Sequence, residues 1–190
     1  MTTEKVSPKP RKAPRSPSQA QPAPTPQPTP EKPRDTPSRV LAIDPGNQHV
    51  GVAWFQRYDD GWDCYAVAEE TPWEFASSVD LWLQQGGVLD CLVVEQFTLY
   101  GDTAMTQVGQ EFVVVQLIGI LRYLGMRSGV PVHLQPASIQ KPTQAALRVN
   151  HIKSRSRQHR AGPHAFSAEL HGWYYILRTL QEQASPEAMR

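Results

Sequence analysis

Two cysteines, no long apolar run and a net charge of only +1 mark this 190-residue chain, and each shortage narrows what it can be. Cys64 and Cys91 stand alone in apolar stretches, without the paired spacing of a zinc site or a disulfide framework, so they read as reduced core thiols of a cytosolic protein. No stretch is apolar for long enough to span a bilayer, and the N-terminus lacks the apolar segment of a secretory signal. The expectation is a soluble cytoplasmic protein with no membrane partner. Large apolar side chains are also missing from the opening segment, where Val6 is almost alone and eleven of the 18 prolines fall before Ser38. Such a segment cannot bury enough surface to offset the entropy of ordering it. Residues 1–38 are therefore expected to be a disordered, basic, proline-rich tail, 39–184 a single domain and 185–190 a short C-terminal tail.

The neutral total hides local asymmetry. The opening segment is basic, and a second run from Lys141 to Arg160 contains Lys141, Arg148, Lys153, Arg155, Arg157 and Arg160 with no acid. Lysines and arginines gain affinity for polyanions by releasing counterions from phosphates, so nucleic acid is one reading of this run. A solvated charged loop is the other.

Hydrophobic patterning gives the order of elements. Arg39–Ile43 is a short apolar run ended by the turn Asp44-Pro45-Gly46, Val50–Phe55 is a second strand, and Asp59-Asp60-Gly61 turns into a third over Trp62–Ala68. Thr71-Pro72 reads as an N-cap with proline at the first helical position, and Gly86-Gly87 closes that helix. Val88–Phe97 is a continuous apolar strand of the kind that sits inside a sheet covered on both faces. A long helix is expected from about Thr103 to Leu124. Its second half, Phe112–Leu121, is apolar nearly all round, as if covered by its own core and by something else, such as a second subunit. Pro131–Pro136 is a last strand, and Pro163 opens a helix to about Gln181. Three strands, helix, strand, helix, strand, helix make an α/β fold, a mixed sheet with helices on both faces. Trp62, Trp73, Trp82 and Trp173 fall at core-like positions.

Two acids stand out. Asp44 ends the first strand on a fixed turn and reads either as an ordinary turn aspartate or as a carboxylate at the mouth of a sheet. Glu95 ends the central apolar strand, where an acid is rare unless it is paired, hydrogen-bonded or on a metal. If the two strands are neighbours, about 4.8 Å apart, the carboxylates can share hard divalent ions, Mg²⁺ or Mn²⁺. Two such ions about 4 Å apart activate water and stabilise the leaving oxygen of a phosphodiester.

The residues around these acids resemble those of the RuvC family of Holliday-junction resolvases. Ala42-Ile43-Asp44-Pro45-Gly46 with Gly51 is similar to the first motif, and Glu95-Gln96-Phe97 through Thr103-Ala104-Met105 to Val108-Gly109-Gln110 is similar to the second, in spacing as well as type. The resemblance runs from Arg39 to Leu180 in element order. It implies the RNase H-like fold, a homodimer through the helix near 103–124, Mg²⁺-dependent hydrolysis and symmetric nicking of branched, four-way DNA. A compact resolvase with a basic tail suits a phage or other mobile element, acting in the host cytoplasm.

The family completes its site from the last helix, usually with two acids three positions apart, the first sometimes histidine. His164 falls on the first position, where the resemblance implies a neutral imidazole that binds metal or positions the attacking water, and Ser167 falls on the second, where aspartate is expected. A serine hydroxyl is a poor Mg²⁺ ligand, so the departure leaves the second metal position weakly provided and makes a junction-binding protein with little or no cleavage the alternative function. Glu169 is a weak substitute ligand, because two residues along a helix is about 200° around it. His171 shares the face of His164 but reads as a packed or hydrogen-bonded helix histidine. The resemblance puts the junction-wedging side chain at Thr98, flanked by the aromatic Phe97 and Tyr100, and phosphate contacts at Lys141 and Lys153, with Arg148, Arg155 and Arg157 as further backbone contacts.

Overall fold

The computed structural model describes residues 37–86, 89–98 and 112–184, with side chains to residue 179. The proline-rich opening segment, the first half of the helix expected from Thr103 to Leu124, the motif residues Thr103–Gln110 and the aromatic Tyr100 lie outside the described residues.

Five strands form one sheet in the order β3-β2-β1-β4-β5. The strands β1 (Arg39–Pro45), β2 (Val50–Tyr58) and β3 (Gly61–Glu70) form an antiparallel meander, β4 (Cys91–Glu95) adds to β1 in parallel, and β5 (Val132–Gln135) adds to β4 in parallel. This is the mixed sheet expected from the patterning. β1 occupies the centre, and Val40, Leu41, Ala42 and Ile43 are wholly buried.

Alternation along the strands sorts the core into two layers. Leu41 and Ile43 of β1 with Leu92 and Val94 of β4 meet α1 (Pro72–Gln84) and α2 (Val113–Ser128), through Phe75, Val79, Leu117 and Leu121. Val40 and Ala42 with Cys91 and Val93 meet α5 (Pro163–Ala184), through Ala168, Leu170, Trp173 and Ile176. Fully burying a Val, Leu, Ile or Phe side chain of these layers contributes about 1.5–3 kcal/mol. The next residues in this alternation, Asp44 and Glu95, therefore belong to the α5 face.

Several expectations change. The acid-free run from Lys141 is not a loop: it forms α3 (Gln140–Val149) and the single-turn α4 (Arg155–Gln158), because Thr143 and Leu147 supply a buried stripe. The apolar helix α2 runs four residues beyond Leu124 and ends where Gly129 takes the left-handed conformation, at φ 69°. Its outer face is open in the single chain: Val115, Tyr123 and Met126 are exposed, Met126 by 74%. Trp73 is not a core residue, being 49% exposed at the start of α1, one position away from the face that carries Phe75 and Val79. Cys64 and Cys91 are the free, buried thiols expected, and burial pushes Cys91 up to about 12. No described helix is long and apolar enough to cross a membrane.

Candidate active site

The parallel register Ile43↔Val94 carries straight into Asp44 and Glu95, so the two acids emerge side by side at the C-terminal ends of adjacent strands. α5 crosses these ends. It can do so because position 51 is glycine: a Cβ on Gly51 would overlap the backbone carbonyl of His164. The first helical turn thus rests directly on β2, and the face bearing residues 164, 167 and 171 (spaced i, i+3, i+7) turns towards the carboxylates.

Both acids find partners on that face, and Ser167 reaches both of them. His164 Nδ1 lies 3.0 Å from Asp44 Oδ2. Glu95 Oε2 is reached by His171 Nε2 at 2.8 Å, by Ser167 Oγ at 3.0 Å and by Gln140 Nε2 at 3.4 Å. Gln140, the first residue of α3, also donates to Ser167 Oγ at 2.8 Å. Behind them His171 Nδ1 meets Gln135 Oε1 at 3.0 Å, and Gln135 is the β5 residue paired in register with Glu95.

The two carboxyls respond oppositely. Burial raises Asp44 above the usual carboxylate range, and the nearby Glu95 charge raises it further, against the weaker pull of His164. Glu95 is also pushed up by burial, but hydrogen bonds from His171, Ser167 and Gln140 with the His171 charge bring it below that range. Water reaches the front of the group and not its back: the His164 side chain is 38% exposed and that of His171 is fully enclosed.

Two further acids hold the helices in place. Glu69 of β3 accepts from the backbone N–H of His164 at 2.8 Å and of Ala165 at 3.3 Å, capping the start of α5. A side chain at position 162 would collide with that carboxylate, so Gly162 leaves room for the cap. Glu169 is wholly buried and accepts from Ser154 Oγ and from the backbone N–H of Arg155 and Ser156, at 2.7–2.9 Å. It caps α4 and does not face Asp44 or Glu95, which corrects its reading as a substitute ligand; the cause is the helical angle already noted.

His171, Gln140, Gln135 and Glu69 were not picked out as site residues. His171 is indeed a packed, hydrogen-bonded histidine, but its partner is Glu95. Its i+7 spacing from His164 was the available signal. Gln135 and Gln140 gave none, because only the sheet register and the turn into α3 bring them to Glu95. Among the described residues no group of three or more His, Cys, Asp or Glu side chains is arranged to hold a metal ion.

The proposed nucleic-acid residues divide into four places. Phe97 and Thr98 line a cavity of about 200 Å³ beside Glu95, with the Phe97 ring 6.2 Å from Phe112 and Thr98 exposed. Arg148, Lys153 and Arg157 border a cleft of about 350 Å³ floored by Phe166 and Leu170, and the Arg157 guanidinium lies 4.8 Å over the Phe166 ring. Lys141 is exposed next to Gln140, at the carboxylate end of α3. Arg155 instead lines the cavity at the β2–β3 hairpin, together with Asp59, Asp60 and Asp63, a mixed-charge setting less suited to a phosphate.

Neither a protein-family model nor a curated protein matches the chain. Solved structures do. One similar structure is Thermus thermophilus RuvC in complex with a Holliday junction substrate, at a TM-score of 0.54 and 15% identity, with 75% of this chain and 95% of that chain covered. Another is the yeast mitochondrial Holliday junction resolvase Ydc2, at a TM-score of 0.51 and 14% identity over 77% of this chain and 81% of that one. At these identities the likeness is one of fold, and the fold is the RNase H-like fold of RuvC-type Holliday junction resolvases.

Proposed function

We propose that this chain is a structure-selective endonuclease that nicks four-way or related branched DNA by metal-dependent hydrolysis. The observation that carries the reading is the meeting of Asp44 and Glu95 at the ends of adjacent parallel strands, close enough for the charge of one to raise the other. Structural proteins seldom leave two carboxylates in mutual repulsion at a solvent-reached edge; sites that take up a cation do. The donor set is hard oxygen, which fits Mg²⁺ or Mn²⁺. It fits one ion completed by water, and it lacks the acids a pair would need among the described residues. Asp44 and Glu95 would hold the ion, whose chemistry is to acidify a water and offset charge on the phosphate.

The chain's own residues do the rest. His164 fixes Asp44 through Nδ1, leaving Nε2 as the ring atom for a proton or phosphate contact. Arg148, Lys153 and Arg157, with Lys141 nearer the carboxylates, supply backbone contacts that position DNA without reading its sequence. Phe97 and Thr98, followed by Tyr100, approach the junction centre, where aromatic rings stack on unpaired bases. A second copy packs on α2, whose exposed Val115, Gly119, Tyr123 and Met126 recur every three or four residues along one face. Gly119 has open space around it, which permits close approach of a neighbouring helix.

The test is Mg²⁺-dependent nicking of four-way DNA in competition with flap and duplex substrates. Wild-type chain should nick the four-way substrate preferentially, and Asp44→Asn and Glu95→Gln should not; normal cleavage by either variant rules the site out. Ser167, engaged with Glu95 rather than standing as a third acid, favours one second reading: a protein that binds junctions tightly and salt-sensitively but cuts them weakly or not at all.

A further inference from the structure

We infer that the last helix meets the two acids with hydrogen-bond donors instead of additional ligands, so that the site takes one divalent cation per chain, and that Ser167, His171 and Gln140 are positioning residues that clamp Glu95 by a single oxygen. This deepens the nuclease reading and rests on it.

Every donor from a described residue that reaches Glu95 lands on Oε2. An ionised carboxylate only accepts, so the His171 Nε2–H and the Ser167 hydroxyl both donate to it. Their remaining capacity is occupied too. Ser167 Oγ accepts from Gln140, and His171 Nδ1 is held by the Gln135 amide, so the histidine has no ring nitrogen left for a metal. The side chain of His171 is fully enclosed, and Ser167 is only 7% exposed. Collecting three donors on Oε2 fixes the carboxylate's rotation and leaves Oε1 as the oxygen for a cation. Partners behind a ligand commonly set its orientation in this way.

The count of ions follows from charge. Two dications about 4 Å apart repel strongly, and acidic ligands must offset that repulsion. Here the described acids near α5 are already committed: Glu169 caps α4 and Glu69 caps α5. Asp44 and Glu95 together neutralise one dication.

Mn²⁺ titrated into the full chain without DNA, followed by calorimetry and electron paramagnetic resonance, reads this directly. The expected result is one Mn²⁺ per chain with an uncoupled spectrum, rising in Ser167→Asp to two ions with a spin-coupled spectrum. Gln140→Ala, at a half-exposed position, should weaken Mn²⁺ binding by about 10-fold without moving the melting temperature, and His171→Asn should weaken it as well. A wild-type chain that already holds two coupled ions overturns the single-ion inference. Unchanged affinity in both Gln140→Ala and His171→Asn overturns the clamp. Mn²⁺ binding that Asp44→Asn leaves untouched instead overturns the nuclease reading itself, so the two failures are told apart.

Discussion

The strand pair β1–β4 carries acids at both of its ends, and the two ends treat them differently. At the entrance, Asp90 Oδ2 accepts from the Ser38 hydroxyl at 2.6 Å and from the backbone N–H of Ser38 and Arg39 at 3.0 and 2.9 Å, with the Arg39 guanidinium nearby. Burial raises that carboxyl, but these donors outweigh it and hold it below the usual range. At the exit, Asp44 stands above the usual range, since burial and the Glu95 charge outweigh its His164 and Ser167 partners. Asp90, whose donors satisfy it, serves the fold. Asp44, left in repulsion beside Glu95, keeps a charge that a bound cation would offset.

Mutations can break this contrast, in order of expected size. Asp44→Asn should lower Mg²⁺-dependent nicking of four-way DNA by about a thousandfold, the loss of several kcal/mol of charge stabilisation, as read by single-turnover cleavage. Its melting temperature should hold or rise, because the variant removes repulsion. Asp90→Ala should do the reverse: nicking per folded molecule stays constant, while urea unfolding shows a loss of about 2 kcal/mol from stranding the donors of Ser38 and Arg39. His164→Ala sits between the two, with about a tenfold loss of nicking because Asp44 loses the ring that orients it. Glu69→Ala, which removes the cap beneath His164, should cost about 1 kcal/mol of stability in the same unfolding measurement.

Acidity sharpens the same contrast with opposite signs. Asp90 is depressed below its ordinary 3.8, so its contribution is fully present above that value and is lost as pH falls through its folded pKa. Asp44 is raised above 3.8, so in metal-free protein its carboxylate opposes folding above its folded pKa, and that opposition fades as pH falls through it. Unfolding measured between pH 6 and pH 3 should therefore lose part of its acid sensitivity in Asp90→Asn and gain some in Asp44→Asn. Like-signed changes in the two variants would contradict the assignment of their environments.

Much of the frame could be read without coordinates because period-two and helical patterning are local properties of the chain. The three-strand meander, the two acids at strand ends, the buried cysteines and the helix from Pro163 all stand where the patterning puts them. The misreadings share one cause. Trp73 and the run from Lys141 were judged by residue type, whereas their fate depends on which way a helix is turned and on what packs behind it. His171 shows the limit from the other side: its spacing put it on the right face, but a helix histidine is equally at home in a core.

By itself, then, the order of residues determined the sheet, the two layers that cover it and the presence of a carboxylate at the end of each of two strands, since alternation and turn chemistry act between near neighbours in the chain. Only the folded arrangement decided that those strands lie side by side, that Gly51 lets α5 settle across their ends, and that Ser167 and His171 point donors at Glu95 while Glu169 points away. Contacts of that kind join residues tens of positions apart, and the long-range packing that sets their geometry is not encoded in any single stretch of the chain.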